Sequence, residues 1–438
     1  MSKTLIYQML PRLWGEGRFS SVDDATLDYL SGLGFSHLWC TGIIRHSTGK
    51  PFVKGDAGSP YAICDYYDVN PYLAEDPSRR MEEFGDLVRR THAHGLKLII
   101  DFVPNHVGCD YSDAHGGIPL CGWHDYDWTD TIKIDYGAPG TWEAMYSIVR
   151  HWALEGVDGF RCDMVELVPP EFMKWLIARI KEEFPEVIFV AEVYQKEKYR
   201  MYIEDVNFDF LYDKSGLYDR LRAVVTGDGS AHGITENWQF LHDLQPRMLN
   251  FLENHDEQRL ASPWFAGRRD MYAPLYVSLM LNTAPFLLYF GQETGVDASE
   301  GHEGRTSIFN FARPESLQRL YGKVHGQGSL KPSELAVLER YRSALELAAD
   351  PAVSEGLTFD LCYCQSASDG FNADKHFAFL RHVEGHTLLF CCNFSAEKAS
   401  LNVHIPQHAV DYLGLGANPR PNGQAVAVAP FDCTVLAL

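Results

Sequence analysis

Carboxylates, imidazoles and a guanidinium gather in this sequence where short apolar runs end. Asp101-Phe-Val-Pro-Asn-His106 closes one run and Gly159-Phe-Arg-Cys-Asp163 a second. Val190-Ala-Glu192 closes a third, and Glu253-Asn-His-Asp256 follows a fourth. Side chains alternate along a strand, so Arg161 and Asp163 point the same way. If that way is into a barrel, both lose hydration, and they must either pair tightly or take part in a reaction. Taken singly, each motif is compatible with a structural role, since an Asp at a strand end commonly caps a helix or accepts a hydrogen bond. Their order and spacing as a set carry more.

The elements that must position these groups follow a repeating pattern. Apolar runs alternate with amphipathic helices over the first three quarters of the chain, which predicts a parallel sheet with helical crossovers. The runs are 5–10, 37–40, 97–103, 159–163, 187–192, 208–211, 248–252 and 286–289. Between them, Leu27, Leu30 and Leu33 form one helical stripe, and Met81, Phe84, Leu87 and Val88 a second that stops near Gly95. Met145, Ile148, Val149 and Trp152 form a third, and Phe172, Leu176 and Ile180 a fourth. An eight-stranded parallel barrel carries its active site at the C-terminal strand ends, where the polar motifs fall.

We therefore expect an α/β fold, a (β/α)8 TIM barrel, with a short loop subdomain after strand 3 and a C-terminal β-sandwich. The barrel takes residues 1–106 and 141–350. The loop subdomain, 107–140, is polar, rich in Gly, Asp, His and Trp, and has no clear sheet of its own. The sandwich takes 351–438, with β-like runs at 376–380, 387–390 and 425–428. There is no internal repeat and no low-complexity tract.

In this order and spacing, the motifs resemble those of the α-amylase family (glycoside hydrolase family 13). Four of that family's motif regions occur in sequence: Asp101 to His106, Gly159 to Asp163, Phe189-Val-Ala-Glu192, and Phe251-Leu-Glu-Asn-His-Asp256. Ser59-Pro-Tyr-Ala-Ile-Cys-Asp65-Tyr-Tyr resembles the segment that supplies the tyrosine platform, and Phe286 to Glu293, ending Tyr-Phe-Gly-Gln-Glu, the eighth-strand segment. The likeness covers roughly residues 1–350.

The resemblance implies a retaining hydrolase of α-1,4-linked maltooligosaccharides or starch-type α-glucans, working by double displacement. Asp163 would be the nucleophile, Glu192 the general acid/base and Asp256 the stabiliser of the transition state. His106 and His255 would hydrogen-bond the sugar, Arg161 would hold the nucleophile ionised, and Tyr61 would stack beneath the ring, with Asp65 beside it among the substrate-binding residues. Retention requires one ionised and one protonated carboxyl about 5–5.5 Å apart. Like-charge repulsion from its neighbours would hold the proton on Glu192, and Arg161 would lower Asp163. The same site also fits a transglycosylase or isomerase-like relative, or a catalytically silent glucan-binding barrel, although a silent barrel need not keep all three carboxylates.

No cofactor is required by this reading. Structural calcium is the property the residues support least. Asn105 matches a calcium ligand of many relatives, and Asp135, in Ile134-Asp-Tyr-Gly, could supply a second. The position four residues after the nucleophile, commonly a histidine ligand, is Leu167. A hard cation wants six to eight oxygens, and these residues do not assemble them.

Composition bounds the rest. A formal charge of −21 over 438 residues disfavours nucleic acid and anionic lipid as partners and suits a neutral glucan. Nine Trp and 22 Tyr supply rings on which sugars can stack, or simply core anchors. The ten cysteines lack paired CxxC spacing. Cys362 and Cys364, read in a strand-like stretch 361–364, are expected to be buried thiols, as are Cys391 and Cys392. No apolar run of about 18 residues spans a membrane, and the start runs directly into a strand without a signal-peptide core. That predicts a cytoplasmic protein, or a periplasmic or secreted one whose leader was removed. Oligomeric state has no signature here. The polar stretch 45–59, containing Lys50, Lys54 and Asp56, follows the second strand and should overhang the C-terminal face. There it either closes one end of the site or is a solvated connector.

Overall fold

The protein, a computed structural model, is described for residues 3–49, 53–112, 117–415 and 425–438; Lys50 lies outside the described residues. Eight parallel strands close into a barrel: β1 (Leu5–Met9), β2 (His37–Cys40), β3 (Lys97–Phe102), β4 (Gly159–Cys162), β5 (Ile188–Ala191), β6 (Phe210–Tyr212), β7 (Met248–Phe251) and β8 (Phe286–Tyr289). Each strand pairs with its sequence neighbours, and β1 pairs with β8 to complete the circle. The sixth run, read at 208–211, forms its strand two residues later because Phe208 closes the preceding turn through Tyr202 O.

The helical stripes are the faces buried against this barrel. In α1 (Asp24–Gly32), Leu27 and Leu30 are buried and the Asp23 carboxylate caps the start by accepting from Thr26 N. In α2 (Arg80–Ala93), Phe84, Leu87, Val88 and Thr91 form the inner stripe. The helix gives way at Gly95, whose φ of 73° is the left-handed conformation glycine adopts without cost. In α3 (Thr141–Leu154), Met145, Ile148, Val149 and Trp152 are fully buried, as are Phe172, Leu176 and Ile180 in α4 (Pro170–Glu183).

Two features near the strand ends depart from the sequence reading. The segment 107–140 has a sheet of its own. His106–Gly108 pairs antiparallel with Thr131–Lys133, placing Lys133 directly opposite His106. A second ribbon joins Ile44–His46 to Ile63–Val69, and it carries the platform segment.

Beyond residue 350 two antiparallel layers follow. Strands β9 (Leu357–Asp360), β10 (His376–Val383), β11 (His386–Asn393) and β14 (Cys433–Ala437) form one sheet, and β12 (Ala399–Leu401) with β13 (Val426–Val428) forms the other. Strict alternation builds both interfaces. Phe377, Phe379, Phe390 and Cys392 join the barrel's core, while Ala378, Leu380, Leu389 and Cys391 pack with Leu401, Val426 and Val428. The stretch 361–364 is not a strand. Cys362–Cys364 is a single 3-10 turn, started where the Asp360 carboxylate accepts from Cys362 N, and both thiols are only partly buried. All ten cysteines are free. Among the described residues, no helix is long and apolar enough to cross a membrane.

Candidate active site

Register brings the first charged groups together. Asp101 on β3 lies beside Arg161 on β4, and both side chains point into the mouth of the barrel. The Arg161 guanidinium is almost fully buried, at 1% exposed. Its Nη1 donates to Asp163 Oδ1 at 2.7 Å and its Nη2 lies 2.8 Å from Glu192 Oε2; Asp101 Oδ1 is 3.7 Å away. The rings of Trp39, Tyr61 and Tyr212 surround it at 5.3–5.8 Å, and Tyr212 Oη accepts from Nε. This aromatic collar keeps water from the cation, which strengthens its pull on the carboxylates.

The backbone then turns the carboxyls upward. Asp163 N donates to Phe102 O and Glu192 N to Cys162 O, so both residues continue the barrel ladder before the chain leaves it. Met164 adopts a left-handed φ of 44°, and its N–H donates to Glu192 Oε2. Tyr194 Oη donates to Glu192 Oε1 at 2.7 Å. After β7, the Asn254 side chain accepts from Asp256 N and Glu257 N, a turn that aims Asp256 at the same space. Asp256 Oδ2 meets His255 Nε2 at 3.0 Å, and Arg305 Nε donates to the Asp256 carbonyl.

The electrostatics divide these carboxyls. Burial pushes Glu192 above the usual carboxylate range; Arg161 opposes that, and Asp163 and Asp256 add to it. The sequence argument that repulsion holds its proton is therefore incomplete, because burial is the larger cause and Arg161 forms an ion pair with Glu192 as well as with Asp163. Burial also raises Asp163, against the Coulombic pull and hydrogen bond of Arg161, so Arg161 limits the rise and does not produce a net lowering. Asp256 loses hydration too, but His255, Arg161 and Arg305 hold it below the ordinary value. His106, pulled down by burial to about 4, is neutral near neutral pH.

A cavity of about 560 Å³ opens above these groups, lined by Tyr61, His106, Asp163, Glu192 and Asp256. Tyr61 stacks on His255, with ring centroids 5.3 Å apart, and its hydroxyl reaches Asp101 Oδ1. Arg161 and His255 lie beneath the lining. Asp65 is not brought to the cavity; its carboxylate accepts from Tyr67 N inside the platform ribbon, two residues on, which turns it from the barrel mouth. The cavity also contains groups the sequence reading did not single out: Tyr194, Trp128, Tyr126 and Phe309. They come from loops after three different strands, and only Tyr194, two residues past Glu192, carried a positional signal. Trp128 packs on His106 at 5.2 Å.

The implied calcium ligands do not assemble. Asp135 Oδ1 accepts from Gly137 N and serves the turn before α3. The carboxylate beside Asn105 is that of Asp125, and an ammonium already sits between them. Lys133 Nζ lies 2.7 Å from Asn105 Oδ1, 2.8 Å from Asp125 Oδ2 and 3.3 Å from Leu167 O. These oxygens are satisfied by a monovalent side-chain cation and do not fit a divalent ion. Among the described residues, no cluster of three or more His, Cys, Asp or Glu could hold a metal.

Comparison with known proteins adds ancestry to this geometry. The family model for the alpha amylase catalytic domain matches residues 17–117 and 123–326. Alpha-amylase 3 of Dictyoglomus thermophilum is 24% identical over 348 residues, covering 68% of this chain and 65% of the relative. An alpha-1,4-glucan:maltose-1-phosphate maltosyltransferase of Cereibacter sphaeroides is 30% identical over 258 residues, covering 50% of this chain but only 38% of the relative. The chain thus matches less than two thirds of the length of either. A maltogenic alpha-amylase from Thermotoga neapolitana shares the fold, with a TM-score of 0.73 at 21% identity, covering 99% of this chain and 96% of that one.

Proposed function

The chain belongs to the alpha-amylase family, and from that premise we propose that it is a retaining glycoside hydrolase that cleaves α-1,4-glucosidic bonds of maltooligosaccharides or starch-type α-glucans. The observation that carries this reading is the ion pairing of Arg161 with Asp163 and Glu192 at once, at the floor of the cavity. Carboxyls on neighbouring nitrogens of one guanidinium favour the close spacing of double displacement, about 5–5.5 Å, over the about 6.5–9.5 Å that leaves room for a water between them.

In this mechanism Asp163 attacks the anomeric carbon while Glu192 gives its proton to the leaving glycosidic oxygen. The resulting glycosyl ester at Asp163 is hydrolysed by water, which Glu192, now ionised, deprotonates. Asp256 and His106, which line the cavity, bind sugar hydroxyls more strongly as positive charge develops on the ring, and the buried His255 holds Asp256 in place. Two displacements at one carbon give net retention. Proton NMR of the early reaction with maltoheptaose should show the α-anomer first, and initial β-anomer would exclude the mechanism.

The likeness to a maltosyltransferase supports one competing reading, in which a sugar replaces water as acceptor. Product chromatography separates the two: hydrolysis yields only chains shorter than the substrate, whereas transfer also yields longer ones.

A further inference from the structure

We propose that Lys133 is a built-in cation that replaces a structural metal, ties the loop subdomain to the barrel and fixes the tautomer of His106. The inference rests on the reading of His106 as a sugar-binding group only for its effect on turnover.

The geometry is closed and directional. Lys133 is mostly buried, with its side chain 16% exposed, and faces Asp125, whose side chain is 15% exposed. An ammonium can only donate, so the Asn105 atom it touches must be the amide oxygen. That orients the amide, and Asn105 Nδ2 then points at Asp125 Oδ2, 2.8 Å away, and at His106 Nδ1, 3.2 Å away. Because Asn105 Nδ2 donates, His106 Nδ1 must accept, and the imidazole proton resides on Nε2. In this tautomer a neutral His106, which lines the cavity, can donate to a sugar hydroxyl. The antiparallel ribbon makes the arrangement compact, since Lys133 stands opposite His106 in register.

The same ammonium joins three parts of the chain. Asn105 follows β3, Leu167 follows β4, and Asp125 belongs to the loop whose next residues, Tyr126 to Trp128, wall the cavity. Without the positive charge, Asp125 would face the Asn105 and Leu167 oxygens with nothing between them, and the amide of Asn105 would be free to turn over. A metal at this point would need Lys133 to leave.

The test uses the full chain and needs no turnover for its first two arms. Thermal melts with chelator and with millimolar Ca²⁺ should coincide for the wild type. Long-range ¹H–¹⁵N spectra of [¹⁵N]His-labelled protein, with His106 assigned by its absence from His106→Asn, should show the Nε2–H tautomer. In Lys133→Ala, His106 should become a mixture of tautomers, and kcat/KM on maltoheptaose should fall about 10–100-fold. In the His106→Asn background the same substitution should cost less than about threefold, because its target is already gone. Lys133→Arg, which keeps a donor cation, should recover much of the loss. A wild-type melt that drops by several degrees with chelator and returns with Ca²⁺ would overturn the proposal. So would a wild-type His106 carrying its proton on Nδ1, or a Lys133→Ala protein whose His106 spectrum is unchanged. If Lys133→Ala does not fold, the wild-type melt and tautomer decide the matter. An inactive wild type that passes both refutes the hydrolase reading and leaves this one standing.

Discussion

Arg161 pairs with Asp163 and Glu192 and lies 3.7 Å from Asp101, whereas Asp256 is paired with His255, so one buried guanidinium serves three buried carboxyls. Burial and the charges of Asp163 and Asp256 raise Glu192 against the pull of Arg161, the direction an acid catalyst needs. In the proposed mechanism Asp163 is then the attacking carboxylate and Glu192 the acid. Asp163→Asn and Glu192→Gln should each lower kcat by at least about 10²–10⁴-fold while near-UV circular dichroism stays native. Retention of more than a few per cent of turnover by Asp163→Asn would remove it from the nucleophile's role. The pH profile of kcat/KM should be bell-shaped, rising as Asp163 ionises and falling as Glu192 loses its proton. Tyr194 donates to Glu192 and so stabilises its ionised form. Tyr194→Phe should therefore raise the Glu192 pKa and move the alkaline limb to higher pH by about one unit, leaving the acid limb in place. The three acidic residues and their order were legible through the family resemblance of the motifs that carry them. That burial outweighs repulsion in raising Glu192, and that Arg161 reaches Glu192 as well as Asp163, were not, because both depend on how the folded chain encloses these groups.

The loops are the least legible elements, since their contacts are made with partners far away in sequence. The polar stretch after β2 leans over the face of the barrel, as its position predicts, and it is not a free connector. Lys54 Nζ lies 3.2 Å from Asp130, Ala57 N donates to Phe309 O, and the Asp56 carboxylate accepts from Phe311 N. These bonds join it to the loop subdomain on one side and to the segment after β8 on the other, and Lys54 itself lines the cavity. A strut of this kind narrows one end of the site and should favour short chains. Lys54→Ala should leave the melting temperature within about a degree, since a half-exposed ion pair is worth about 0–1 kcal/mol. It should raise kcat/KM on soluble starch relative to maltotetraose through maltoheptaose, and a constant ratio would make the stretch irrelevant to substrate length. The helices, in contrast, were legible to within a few residues. Their periodic apolar faces are a local property that burial only ratifies, as with Met145, Ile148, Val149 and Trp152.

Across the whole molecule, the C-terminal sheets are joined to the barrel through Arg381. This residue is 1% exposed, and its Nε donates to Ala352 O and its Nη1 to Leu281 O at the end of the helix before β8. Arg381→Met would strand these buried carbonyls and should cost about 3 kcal/mol, read as a lower urea midpoint. Turnover per folded molecule should be unchanged, because none of the affected groups lines the cavity; a loss of kcat in the folded state would instead join this interface to the site. The sequence by itself determined the barrel and its strand order, because periodic burial is written locally along the chain, and the resemblance of its motifs singled out Asp163, Glu192 and Asp256 as the candidate acidic residues. Only the tertiary structure decided that Asp65 turns away, that Asp125 and not Asp135 stands beside Asn105, and that Lys133 fills the space between them. Those outcomes depend on which side chains from separate loops reach one point, and a long polar side chain gains its binding energy only when that point is enclosed.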